Sequence, residues 1–177
     1  MSLHLSVISI EGNRLGGLPE VLKKNGYIID QETTVETSEE AIRAAEEHPD
    51  RMHVTKVAYA ADGFTHLLDL EMVLQKDDVW LEFTKRWRCR MVAWICEGAA
   101  SSFALSVCDR GHWIRSVLAV EGEVRENEGD QLAEEECLEW SDANEVDVLA
   151  VIERLGASSD FSVDRQYRVY RLDESRM

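Results

Sequence analysis

Between Cys89 and Glu128 the chain alternates short apolar runs with turn signals, spaced so closely that sequential hairpins are the natural reading. Met91 to Cys96 is one run, closed by Glu97-Gly98, and Phe103 to Cys108 is the second. Asp109-Arg110-Gly111 turns the chain into a third, Trp113 to Val120, and Glu121-Gly122, as a turn or a bulge, leads to a short polar fourth strand. A parallel crossover needs about a dozen residues between strands, and none of these links has them. The spacing predicts an antiparallel meander.

Around it, strands and helices are expected in mixed order. Leu3 to Ile10 alternates as a strand, with Leu3, Leu5 and Val7 on one face. Gly16-Gly17-Leu18-Pro19 opens a short helix that stops at Gly26, and Tyr27 to Val35 is a second strand. Thr37 and Glu40 form a capping-box pattern for a helix that turns Ala41, Ile42 and Ala45 inward and ends at His48-Pro49. Met52 to Leu70 reads as a hairpin about Asp62-Gly63. After a turn at Lys76-Asp77-Asp78, the spacing of Val79, Trp80, Phe83 and Trp87 predicts an amphipathic helix over 79–88. The stretch from Gly129, with Glu134, Glu135 and Glu136 in a row, is a helical turn or a loop. A last helix is expected with Asp142 as N-cap, Glu145 closing the box, Val146, Leu149, Ile152 and Leu155 as its stripe, widened by Val148 and Val151, and Gly156 as its stop. Phe161 to Leu172 is expected to return as a strand. The expected class is α+β, a largely antiparallel sheet with helices packed on at least one face, in a single domain over 1–177. A small N-terminal subunit, 1–50, is the alternative, with its break at His48-Pro49-Asp50.

A length of 177 residues suffices for a core without staples. The net charge of −16 argues against nucleic acid, whose phosphates attract Lys and Arg, and against docking on anionic membranes. No apolar run approaches the roughly 20 residues that cross a bilayer. Cys89, Cys96, Cys108 and Cys137 lie in or beside apolar strands without a secretory segment, so reduced thiols and a cytoplasmic location are expected.

No pattern of residues points to catalysis. Cys89, Cys96, Cys108 and His112 lack the close pairs of a zinc site, and with 89–96 as one strand an odd offset of seven would put Cys89 and Cys96 on opposite faces. Cys108 and His112 read as a strand end and a turn, and His66 as a partly buried strand residue without a carboxylate on its face. GNRLGG, 12–17, has neither a Walker nor a dinucleotide pattern and reads as a bend. No catalytic, metal or cofactor site is expected, and the sequence leans away from an enzyme.

Charge is more informative. Lys76, Lys85, Arg86, Arg88 and Arg90, interleaved with Trp80 and Trp87, form a basic and aromatic segment in an acidic chain. Trp80, Trp87, Arg86 and Arg88 could take an anionic ligand, although a helix face paired with surplus carboxylates is the simpler reading. Glu121, Glu123, Glu126 and Glu128, then Glu134, Glu135, Glu136 and Glu139, form the opposite pole. Of these, Glu121, Glu123, Glu134, Glu135 and Glu136 are the candidates to meet a basic protein, and a solvated, charge-protected edge strand is the simpler alternative.

DGFTHLLD, the Trp-bearing helix, the meander with CDRGHWIRS, and GDQLAEEE before a capped helix together resemble small acidic bacterial α+β proteins of unknown function, some of them like immunity proteins of polymorphic toxin systems. The likeness spans 57–156. It implies a binding module, an inhibitor or immunity-type protein for a basic partner. The second reading is a small-molecule-binding protein or enzyme with a pocket lined by Trp80, Trp87, Trp94 or Trp113. Homo-oligomerisation through an edge strand or the aromatic face is compatible with both.

Overall fold

The computed structural model describes residues 4–46, 53–70, 77–136, 138–158 and 160–174. Among these residues nine strands form one sheet: β1 His4–Glu11, β2 Tyr27–Val35, β3 His53–Ala61, β4 Phe64–Leu68, β5 Arg90–Glu97, β6 Ser102–Asp109, β7 His112–Val120, β8 Glu123–Glu128 and β9 Tyr167–Glu174. Every pairing is antiparallel, in the order β2-β9-β3-β4-β1-β5-β6-β7-β8. The expected meander is the run β5 to β8. Three hairpins turn on left-handed pairs, Asp62-Gly63, Arg110-Gly111 and Glu121-Gly122, as two-residue turns matched to strand twist require.

The helices are α1 Leu18–Lys24, α2 Ser38–Glu46, α3 Asp77–Trp87 and α4 Glu145–Arg154. The side-chain period of two divides the strands' apolar residues between two buried clusters. One joins Val7, Val92, Trp94 and Leu105 to Ala41 and Ala45 of α2 and Val148, Val151 and Ile152 of α4. The other joins Ile8, Ile10, Leu67 and Met91 to Leu18, Val21 and Leu22 of α1 and Trp80 and Phe83 of α3. Cys96 belongs to the first and Cys89 to the second, so the two thiols do lie on opposite sides.

Several local expectations are corrected. Ile42 is 39% exposed, because Ala41 and Ala45 provide the buried contact of α2 and Ile42 sits round the helix from them. The α4 box starts at Asn144, whose side chain accepts from the Val146 and Asp147 amides, while Asp147 accepts from the Asn144 amide. Turns at Asp142 and Ala143, bonded to the Glu139 and Trp140 carbonyls, hold the chain out of the helix two residues longer than expected. Val146 is therefore 74% exposed, and the buried stripe is Val148, Val151, Ile152 and Leu155. Residues 161–166 are not strand: Phe161 packs edge-on against Tyr59 at 4.9 Å, and the Tyr167 hydroxyl donates to the Val163 carbonyl at 2.6 Å. The suggested break at His48-Pro49-Asp50 lies outside the described residues, as do Leu3, Lys76 and Cys137.

Candidate functional site

Edge strand β8 and the loop after it gather the acidic pole at one end of the sheet. From Glu121 to Glu139 there are nine carboxylates against one cation, Arg125, a net of −8 that is half of the chain's −16. Gly129 lets the chain leave β8 close against β7, since a Cβ there would lie 2.2 Å from the Ile114 carbonyl oxygen. The loop then makes a 3-10 turn over Ala133–Glu135 that drives one glutamate inward.

That glutamate is Glu135, and its expected place at a partner surface is corrected: it is fully buried. Arg115 of β7 donates Nε and Nη2 to its two carboxylate oxygens, both at 2.7 Å. The Trp140 indole N–H and the Leu132 amide donate to the same group at 2.8 and 3.2 Å. Nη1 of Arg115 reaches the Asn127 side chain at 2.6 Å and the Glu128 carbonyl at 3.0 Å. Burial alone would push the Glu135 carboxyl up, yet the bonds from Arg115, Trp140 and Leu132 hold it below its ordinary value. The buried pair thus locks loop, β7 and β8 together. Outside it, Glu121, Glu123 and Glu136 are exposed and Glu134 half-buried; Glu123 pairs with Arg125 at 2.6 Å.

Of the basic and aromatic residues, the structure brings Arg86 and Trp87 together, the Arg86 guanidinium lying 5.9 Å from the Trp87 ring centre and 4.3 Å from that of Phe83. Arg86 makes a bidentate pair with Glu20 of α1, both bonds 2.8 Å, and Lys24 pairs with Glu82. Arg88 is exposed in a left-handed conformation just past α3. Trp87 is wedged against the bend before α1, where a Cβ on Gly17 would lie 2.4 Å from its ring, and the Arg14 guanidinium donates to its carbonyl. The sequence marks that bend by its glycines but not its partner.

Trp80, on the same helix and in the buried cluster against which Trp87 packs, is only 3% exposed and helps wall an open cleft of about 460 Å³. The cleft follows from strand register. Across β1, β5, β6, β7 and β8, Ser6, Ile95, Ala104, Leu118 and Glu126 face one another in one row. Ile8, Ala93, Ser106, Ser116 and Glu128 form the next. Small side chains at 93, 104, 106 and 116 leave the sheet hollow beside the third row, Met91, Cys108 and Trp113. Trp94 and Trp113 also line it, whereas Trp87 does not. Among the described residues two carboxylates line it and they differ: Asp69 is buried in an ion pair with Lys56 at 2.6 Å, while Glu126 accepts from the Ser116 hydroxyl at 2.5 Å.

The remaining nucleophiles and bases are internal. Ser9 Oγ lies 3.0 Å from the Ala157 carbonyl, to which it can donate, and 2.9 Å from His66 Nδ1, so the hydroxyl is held between two internal partners. Ser9 is fully buried and His66 1% exposed, which makes this a clamp between β1, β4 and the end of α4, out of reach of a substrate. Burial pushes His66 down to about 4. Burial likewise pushes Cys96 up to about 11 and raises Cys89 and Cys108, the last bonded to Thr84 at 3.1 Å, which keeps all three thiols protonated. Among the described residues no group of three or more His, Cys, Asp or Glu is placed to hold a metal, and no helix is long and apolar enough to cross a membrane.

No family model, curated protein or solved structure matches the chain.

Proposed function

We propose that this protein is a non-enzymatic binding module, of the inhibitor or immunity type, that engages a basic protein through the acidic end of its sheet. In this reading α1 and α3 cover one face of the sheet, α2 and α4 the other, and the β8 end is left for recognition. The observation that carries it is the concentration of half the net charge between Glu121 and Glu139, held in a fixed shape by the buried Arg115–Glu135 pair. Clustered like charge speeds encounter with an oppositely charged partner, and a rigid scaffold lowers the ordering cost on binding. Charge on an edge strand also discourages unwanted sheet extension, so the same residues keep β8 from aggregating.

The test is capture from a lysate of the source organism on immobilised protein at low salt, followed by stepwise salt elution. One dominant basic protein released at moderate salt supports the reading. Retention of nothing specific, or of partners indifferent to salt, removes its basis. The cleft walled by Trp80 and Trp113 favours a second reading, a small-molecule-binding protein or enzyme, because its volume lies in the usual range for ligand sites.

A further inference from the structure

Resting on that first reading, we infer that the cleft on the sheet face beside β8 is the specificity pocket of the interface and receives an arginine side chain of the basic partner. The cleft opens next to the acidic edge: Glu126 belongs both to β8 and to the cleft wall, so a chain docked along β8 can project a side chain into it. Among the described residues no Lys or Arg lines it. Asp69 is neutralised by Lys56, which leaves Glu126 as the one lining carboxylate without a cation among the described residues. A half-buried carboxylate in that position favours a monocation over an anion or a neutral group.

The aromatic and hydroxyl groups narrow the choice of cation. Trp113 provides indole surface, on which a planar, weakly hydrated guanidinium stacks better than an ammonium. The second Glu126 oxygen and the hydroxyls of Ser6 and Ser106 are acceptors, and guanidinium has five N–H donors in one plane to share among them. Ala93 and Ala104 matter by their size, since larger residues there would fill the hollow. A hollow left by small residues between Ile95 and Leu118, indole beside it and one carboxylate at the rim fit an arginine.

The test uses the blocked peptide acetyl-Gly-Arg-Gly-amide and its citrulline counterpart, a neutral near-isostere, followed through the indole N–H resonances of the full-length protein. The arginine peptide is expected to shift the Trp113 resonance in a saturable way, and the citrulline peptide to bind at least about tenfold more weakly. Glu126→Gln, which keeps the acceptor for Ser116, should weaken the arginine peptide by a similar factor while leaving thermal unfolding unchanged. Ala104→Leu, filling the hollow, should abolish the shift. No saturable shift at millimolar peptide, equal binding of both peptides, or an unaffected Glu126→Gln variant overturns the inference. The wider reading fails separately. If Glu126→Gln and Ala104→Leu still capture a basic protein in a salt-sensitive way, the acidic end is the interface and the cleft is not its pocket. If the unaltered protein captures none, the reading itself falls.

Discussion

Arg115 and Glu135 do at residue scale what the acidic surface cannot do for itself. A buried carboxylate survives only when each lone pair finds a donor, and here a guanidinium, an indole N–H and an amide supply them. Arg115→Ala should therefore cost about 3–5 kcal/mol in chemical denaturation, because it strands Glu135, whereas Arg115→Met with Glu135→Leu should cost far less. His66 gives a second expectation. Its folded value of about 4 lies below the ordinary 6.5, so the unfolded chain binds the proton more readily. Stability is then complete above about 6.5 and declines as pH falls toward 4, by roughly 3 kcal/mol, and His66→Asn should flatten that part of the profile. Little of this is legible in the sequence. Nothing in Glu134-Glu135-Glu136 marks which carboxylate turns inward, since its partner lies twenty residues away on another element. Ser9 and His66, 57 residues apart, carry no local signal either.

At the scale of elements, legibility follows how local the determining chemistry is. The hairpins at Asp62-Gly63, Arg110-Gly111 and Glu121-Gly122 are decided by two residues each, and all are readable. So is the α2 box, where Thr37 accepts from the Glu40 amide and donates to its carboxylate. The α4 start is displaced because Trp140, tied to Glu135, keeps 140–143 in turns, a constraint invisible in a capping pattern. Asn144→Ala should accordingly destabilise by about 1 kcal/mol, while Asp142→Ala should leave the melting temperature unchanged. Trp87 tells a similar story: a helical stripe places it on an apolar face, but only the fold brings it against Gly17. Gly17→Ala should cost about 1–3 kcal/mol by overpacking, and pairing it with Trp87→Leu should recover most of the loss.

For the whole molecule, the meander is readable because its neighbours in sequence are neighbours in space, and the rest of the sheet is not. β9 enters between β2 and β3, and β1 joins the β4 hairpin to β5, so the order depends on pairings that no local pattern encodes. Among the described residues β9 is the one strand paired with β2, and deletion from Tyr167 onward should abolish hydrogen-exchange protection in β2 and broaden thermal unfolding. The arrangement leaves β8 as an edge, and the excess of carboxylates falls there and on the loop behind it. The measurement that bears most directly on the proposed role is the association rate with the captured basic protein as salt is raised, for the natural chain and for a Glu121→Gln, Glu123→Gln, Glu134→Gln and Glu136→Gln variant. The account predicts a rate that falls steeply with salt for the natural chain, and a slower, flatter dependence for the variant. Equal rates and equal salt dependence for the two proteins would contradict it.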